Sequence, residues 1–399
     1  MESTFDLLES SISEFWDSPS SKAKDDIKFN KVFNSCLCFL TAEAEATFIT
    51  RKVVLTTTKL YCLDDDHEPF LVTKISWKLL KPFTELSGKN EERFGFTLKT
   101  NTNEQDFYTF SLEHLDLWIE NLQKFCLSSE IEDNFVVQIP IKKARTSKIL
   151  LARSLENDLY YVIKSINKNK FLDSGGTTRR LAKAIQIMRK IDHPYFSNLH
   201  KVYETEKYVH LVIDYASGGT FFRRIKSKRI FEEQKALVIV KKLLFSVRYL
   251  SSKGLVHRNI KPENILMVSE ENDFEMKIID FGTACKEHDE TESGICGSPG
   301  YIAPEILRQE EFSSKADVFS VGVIMHILLL GKIPFKRSEN GLITRSLKDL
   351  VAPPQKLSKQ CVELLMMLLN PDPKKRPSAS EALEHKWFYK QRSFSSKVP

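Results

Sequence analysis

Seven cysteines are scattered through 399 residues with no Cys-x-x-Cys pair, which argues against both a zinc site and a disulfide framework. Cys36 and Cys38 would share one face of any strand that holds them. A reduced, cytoplasmic compartment is the expectation. Long apolar runs are missing as well. The most apolar stretch, Val318 to Leu330, is broken by Ser320, Gly322 and His326 and falls short of the ~20 residues a bilayer requires. It reads as a buried core helix. Charge of one sign is not in excess: 59 Lys and Arg against 53 Asp and Glu leave a net charge of +6, thin for a nucleic-acid binder. The opening Met1-Glu2-Ser3-Thr4, with acids following, lacks the pattern of a signal or transit peptide. Two local absences matter later. No glycine occurs between Asn134 and Arg153, and no acid between Thr177 and Ile191.

What is present suggests two or three domains. Hydrophobic residues at 42% and charged residues at 28% exclude wholesale disorder. Basic runs at Lys142-Lys143-Ala144-Arg145 and Arg223–Arg229 read first as solvated faces. Residues 1–27 read as an acidic, polar tail with an amphipathic turn around Leu7, Leu8 and Phe15. Short β-rich runs follow at Ser35–Thr41, Thr47–Thr56, Lys59–Leu63, Phe70–Ile75, Phe94–Thr100 and Phe107–Ser111, separated by turns such as Asp64-Asp65-Asp66 and Ser87-Gly88-Lys89-Asn90. Leu115, Trp118, Ile119, Leu122 and Phe125 then recur at helical spacing. An antiparallel sandwich closed by one helix, with the Trp plugging an open end, is the natural packing.

That order, over residues 28–128, resembles a pleckstrin-homology (PH) domain. The residues that carry it are Arg51 to Thr56, Lys59-Leu60-Tyr61, Phe94-Gly95-Phe96 and Leu115 to Ile119. The resemblance implies phosphoinositide binding by basic residues on the first two strands and their joining loop. Arg51 and Lys52 match, but the loop reads Glu43-Ala44-Glu45-Ala46, whose carboxylates repel a phosphorylated headgroup. Weak phosphoinositide or membrane contact is the most it implies, and a protein-docking or autoinhibitory module is the competing expectation.

Residues 134–390 carry a longer series, with 391–399 as a short tail. Val162-Ile163-Lys164 ends an alternating run, and His193-Pro194 follows the next helix. His210 to Ala216 precedes Gly218-Gly219. Then come His257-Arg258-Asn259-Ile260-Lys261-Pro262-Glu263-Asn264, Asp280-Phe281-Gly282, Cys296 to Glu305, Arg376, and Leu383 to Phe388. In this order and spacing the motifs resemble a serine/threonine protein kinase of the calmodulin-dependent-kinase-like group. The implied fold class is α+β, a bilobal protein-kinase fold preceded by a small antiparallel β-sandwich or barrel with a C-terminal helix. The implied roles are nucleotide binding by Lys164, Ile141, Ile149, Asp214 and Ala216, and metal binding by Asn264 and Asp280. Lys261 would meet the γ-phosphate, and Asn259 stands at the catalytic aspartate's position. Thr291, Ser293 and Ser298 fall in the activation segment, and Glu305 with Arg376 form a structural ion pair. ATP and Mg²⁺ are the implied cofactors.

Phosphoryl transfer relies on positioning and charge neutralisation, so each departure from the family's pattern has a physical cost. Lys142, Ala144 and Ser147 stand where three glycines would let backbone N–H groups approach the phosphates. Ala184 stands at the position of the helix glutamate that holds the nucleotide lysine. Asn259 cannot accept a proton at neutral pH. A pseudokinase, or a weakly active serine/threonine kinase, that still binds nucleotide and serves as a scaffold or allosteric partner is the leading expectation. An active kinase of unusual site is the alternative, in which Lys142, Lys143 and Arg145 meet phosphates by charge. A third expectation is a membrane adaptor driven by the PH-like module. The expected partners are proteins, as binding partner or substrate, with no nucleic acid. Because the chain stops soon after Phe388, regulation in cis is expected from the N-terminal module. His257, Arg258, Cys285, Cys296, Trp387 and Phe388 read as scaffold.

Overall fold

Apolar alternation along the first half builds sheets, and helical spacing along the second half builds a helical core around short hairpins. The computed structural model describes residues 18–40, 48–56, 59–75, 78–86, 92–99, 103–128, 131–289, 294–335 and 357–389. The chain divides into two units, Met1–Ala182 with Leu199–Tyr215, and Lys183–Asn198 with Ala216–Pro399.

The first unit opens with helix α1 (Ala23–Asn30) and strands β1 (Lys31–Leu40), β2 (Phe48–Thr56), β3 (Lys59–Leu63), β4 (Pro69–Lys74), β5 (Leu79–Leu86), β6 (Glu92–Lys99) and β7 (Glu104–Thr109), followed by α2 (Leu112–Leu122). The strands form one antiparallel sheet in the order β4-β3-β2-β1-β7-β6-β5. Ser111 caps α2 by accepting from the His114 N–H. Leu115, Trp118 and Leu122 form its buried stripe. Trp118 is fully buried among Leu37, Val53, Leu55, Phe96 and Phe107, and Phe33 meets it edge-on at 4.9 Å. The residues alternate with a second face, where Val54, Tyr61, Leu63 and Val72 pack with Ala23.

Two features depart from the sequence reading. Ala23 to Ile27, assigned to the tail, belongs to α1, and Tyr61 Oη donates to Asp26 Oδ2 at 2.5 Å. β5 had no counterpart among the six expected strands. It carries Pro82 and is mostly exposed, both compatible with its place at the sheet edge. Leu7, Leu8, Phe15, the Glu43–Ala46 loop and the Ser87–Asn90 turn lie outside the described residues.

The same unit holds a five-stranded antiparallel sheet of β8 (Phe135–Lys143), β9 (Ser147–Ser154), β10 (Tyr160–Asn167), β11 (Leu199–Glu204) and β12 (Tyr208–Asp214), in the order β11-β12-β10-β9-β8. Helix α3 (Lys168–Asp173) follows β10, and α4 (Thr178–Lys190) runs across the division between the units. Ile131, Phe135, Ala152, Ile163, Tyr203 and Val212 form the core of this sheet.

In the second unit, α5 (Phe221–Lys228) and α6 (Glu233–Ser252) precede the short strands β13 (Leu255–Val256), β14 (Ile265–Met267), β15 (Met276–Ile278) and β16 (Cys285–Lys286). Then follow α7 (Pro304–Leu307), α8 (Lys315–Leu330), α9 (Lys359–Leu368) and α10 (Ala379–Leu383). α8 is buried from Ala316 to Leu330, which accounts for its apolar character on every side, and Gly331 ends it at φ +70°. Among the described residues no helix is long and apolar enough to cross a membrane.

Candidate active site

β14 pairs with β15 in a hairpin, and the Ile279 N–H donates to the Asn264 carbonyl at 2.9 Å. Asn264 and Asp280 are thereby brought to the same end of that hairpin. Asn264 is buried, and its Nδ2 donates to the Asn259 carbonyl at 3.0 Å. Its Oδ1 is therefore the atom left to face a cation. Asp280 adopts φ +72°, a strained conformation for a residue with a side chain.

Asn259 sits in a network that reaches Ser298. Ser298 Oγ donates to Asn259 Oδ1 at 3.0 Å and accepts from Lys261 Nζ at 2.5 Å. The Asn259 N–H donates to His257 Nδ1 at 3.3 Å. Gly297 makes this approach possible: its φ is +99°, and a Cβ there would lie 2.5 Å from the Arg258 carbonyl oxygen.

Below the loop, the fully buried Asp317 of α8 accepts from the His257 N–H at 2.7 Å and the Arg258 N–H at 2.9 Å. Burial pushes its carboxyl up to about 7, against the two N–H groups that favour the charged form. Burial also pushes His257 down to about 4, so the imidazole is neutral. Arg258 holds φ +63° and donates from Nε to the Thr283 carbonyl at 2.7 Å. Further along, Glu305 and Arg376 meet in two hydrogen bonds of 2.6 and 3.0 Å, both side chains buried. Arg376 also donates from Nη1 to the Lys315 carbonyl and from Nε to the Asn370 carbonyl, so four of its five N–H groups are engaged.

In the first unit, Lys164 lies on β10 between Ile149 of β9 and Leu211 of β12. Ile141 is half exposed on β8, one of the sheet's two edge strands. Lys142, Lys143 and Arg145 are exposed around the β8–β9 turn. Where a glycine-rich loop would be, the chain makes a tight hairpin, with the Ala144 N–H donating to the Ser147 carbonyl at 2.8 Å. No residue from Phe135 to Ser154 has positive φ, so this turn requires no glycine. Asp214 ends β12 with its carboxylate 2.7 Å from His200 Nε2, and Ala216 is the first residue beyond the division between the units. Ala184 is buried on α4, and its neighbour Lys183 pairs with Asp289 at 2.8 Å. Arg51 is drawn into a 3.3 Å pair with Asp65, and among the described residues Lys52 has no ion pair. Thr291 and Ser293 lie outside the described residues.

Asp317, the two hydrogen bonds of the Ser298 hydroxyl, the Lys183–Asp289 pair and the close approach at Gly297 were not singled out by sequence reasoning. Only Asp317 left a signal, as the acid opening an otherwise apolar helix.

The hairpin thus brings Asn264 and Asp280 to one end, beside a loop whose Lys261 and Asn259 share the Ser298 hydroxyl. The chain belongs to the protein kinase family, whose domain model matches residues 143–388. Its fold is a bilobal kinase domain preceded by an antiparallel β domain. It is 32% identical over 267 residues to calcium/calmodulin-dependent protein kinase type 1 of Caenorhabditis briggsae, covering 65% of this chain and 74% of the relative. It is 32% identical over 262 residues to a serine/threonine-protein kinase of Arabidopsis thaliana, covering 64% of this chain and 56% of the relative. A probable serine/threonine-protein kinase of Dictyostelium discoideum is 33% identical over 257 residues, 64% of this chain, which span 30% of that protein.

Proposed function

We propose that this chain is a nucleotide-binding pseudokinase, or at most a very slow serine/threonine kinase, acting as a scaffold or allosteric partner of other proteins. The carrying observation is the polarity of Asn259. Its Oδ1 already accepts from Ser298 and, as an amide oxygen, cannot take up a proton at neutral pH; the other side-chain atom is the Nδ2 amide. A catalytic carboxylate would offer an oxygen there to receive the acceptor's proton. The amide instead offers N–H, which donates to a hydroxyl's lone pair and competes with nucleophilic attack. A positioned general base contributes about 10²–10⁴-fold. The glycine-free hairpin and the acid-free α4 remove further positioning.

The donor set suits Mg²⁺. Asn264 Oδ1 and the Asp280 carboxylate are hard oxygens, and among the described residues no cluster of three His, Cys, Asp or Glu could hold a metal. A site with one or two protein carboxylate-type donors, completed by phosphate oxygens, is what Mg²⁺ prefers. When bound it would neutralise phosphate charge. Asn264 and Asp280 would hold it, and Lys164 would hold the phosphates.

The test is paired. Mg²⁺-ATP should raise the melting temperature, and Asp280→Ala should remove most of the magnesium-dependent part. Phosphotransfer to generic protein substrates should be near background and rise in Asn259→Asp. Robust wild-type turnover, abolished by Lys164→Met, would overturn the pseudokinase reading. The exposed Lys142, Lys143 and Arg145 favour the slow-kinase alternative, since cations can approach phosphates where backbone amides cannot.

The N-terminal module, residues 28–128, is PH-like on this reading and serves mainly as a protein-docking unit. Arg51 is held by Asp65, which leaves little free charge for a phosphoinositide. Binding to phosphoinositide vesicles should be weak and should strengthen in Asp65→Ala. Tight binding lost in Arg51→Ala would contradict it.

A further inference from the structure

Leu127 and Ser128 follow α2 as consecutive residues and pair with two different sheets. The Leu127 N–H donates to the Lys78 carbonyl at 2.9 Å, and its carbonyl accepts from the Leu80 N–H at 2.8 Å. This is a parallel bridge to Leu79, at the start of β5. The Ser128 N–H donates to the Val202 carbonyl at 2.9 Å, and its carbonyl accepts from the Glu204 N–H at 2.9 Å. This is a parallel bridge to Tyr203 on β11. Both β5 and β11 are edge strands of their sheets.

The geometry of extended chain explains the arrangement. Successive residues direct their N–H and C=O groups to opposite sides, so one extended dipeptide can serve two edges at once. Only one planar peptide bond separates the two pairings, which leaves no slack. Each flank is anchored. Phe125 and Cys126 belong to the core around Trp118, whereas Ile131 belongs with Tyr203 to the core of the five-stranded sheet. Leu127 and Tyr203 are each 1% exposed. Glu204, which binds Ser128 through its backbone, pairs through its nearly buried carboxylate with Lys168 at 2.7 Å.

We infer that Leu127–Ser128 is a strand shared by the two sheets, which makes the N-terminal module a mechanical extension of the kinase's five-stranded sheet. A module hung on a flexible linker would move independently. Here, a ligand or partner that stiffens either sheet protects the other, because opening one edge removes ladder bonds from the other. The inference holds whether or not the protein transfers phosphate.

Hydrogen exchange on the full chain, read by mass spectrometry across a urea series, tests it. In the wild type, peptides from β5 and β11 should open together, with a common free energy and urea dependence. Different values for the two peptides would overturn the proposal. Ser128→Pro, which deletes one donor, should speed exchange at least tenfold in both β5 and β11, and Ser128→Ala should change neither. Acceleration confined to β11 would also overturn it. Should Ser128→Pro fail to fold, one glycine inserted between Leu127 and Ser128 replaces it. That variant should split a shared opening into two, and a shared opening that persists would count against the shared strand.

Discussion

At the residue scale, two buried titratable groups, His257 and Asp317, pull stability in opposite directions with pH. His257 has a folded value of about 4, below the usual 6.5. Its contribution is complete above 6.5 and is lost as pH falls through about 4. Asp317 is raised from 3.8 to about 7, so its contribution is present below 3.8 and is lost as pH rises through about 7. Between roughly pH 4.5 and 6.5 the two largely offset each other. Urea unfolding should show this. In Asp317→Asn stability should rise with pH across that window, and in His257→Phe it should fall. Parallel profiles in both variants would contradict the assignment. The identity of His257 was legible in its motif, but its charge state was not, because desolvation is set by α8 and by residues distant in sequence.

At the element scale, the Gly297–Ser298 step and the β8–β9 hairpin show how local chemistry is read by its surroundings. Gly297→Ala would have to abandon φ +99° or press a Cβ against the Arg258 carbonyl. It should cost about 1–3 kcal/mol and break the Ser298 bridge, measurable as a lowered melting temperature. A stability equal to wild type would mean the segment does not approach Arg258. In the hairpin, the missing glycines are visible in the sequence, but only the tight turn shows that nothing is strained by their absence. Changing Lys142, Lys143 and Arg145 together to Ala should leave the Mg²⁺-ATP melting shift intact if the hairpin is a bystander. Loss of the shift would assign phosphate contact to these cations. β5 escaped sequence reading for a related reason. Its Pro82 and exposed residues break the alternation that marks a strand, and pairing with β6 along its length and with Leu127 at its start holds it.

At the scale of the whole molecule, the Glu305–Arg376 pair ties α7 to the segment before α10 inside the second unit. Removing one partner strands a buried charge, so Glu305→Ala should cost about 3–5 kcal/mol in chemical denaturation. A loss below 1 kcal/mol would show that the pair is dispensable. The family, the fold class and the residue types at Asn259, Ala184 and the glycine-free segment were all determined by sequence, because motif order and residue type are properties of the chain itself. Four matters were decided only by tertiary structure: the partner of Asn259, the neutrality of His257, the capture of Arg51 by Asp65, and the strand that Leu127 and Ser128 share between two sheets. Each depends on groups far apart in the chain meeting at hydrogen-bond or ion-pair distance, or on burial against distant elements. Composition and periodicity do not encode those meetings, since a side chain's charge and a backbone group's partner are fixed by what packs beside them.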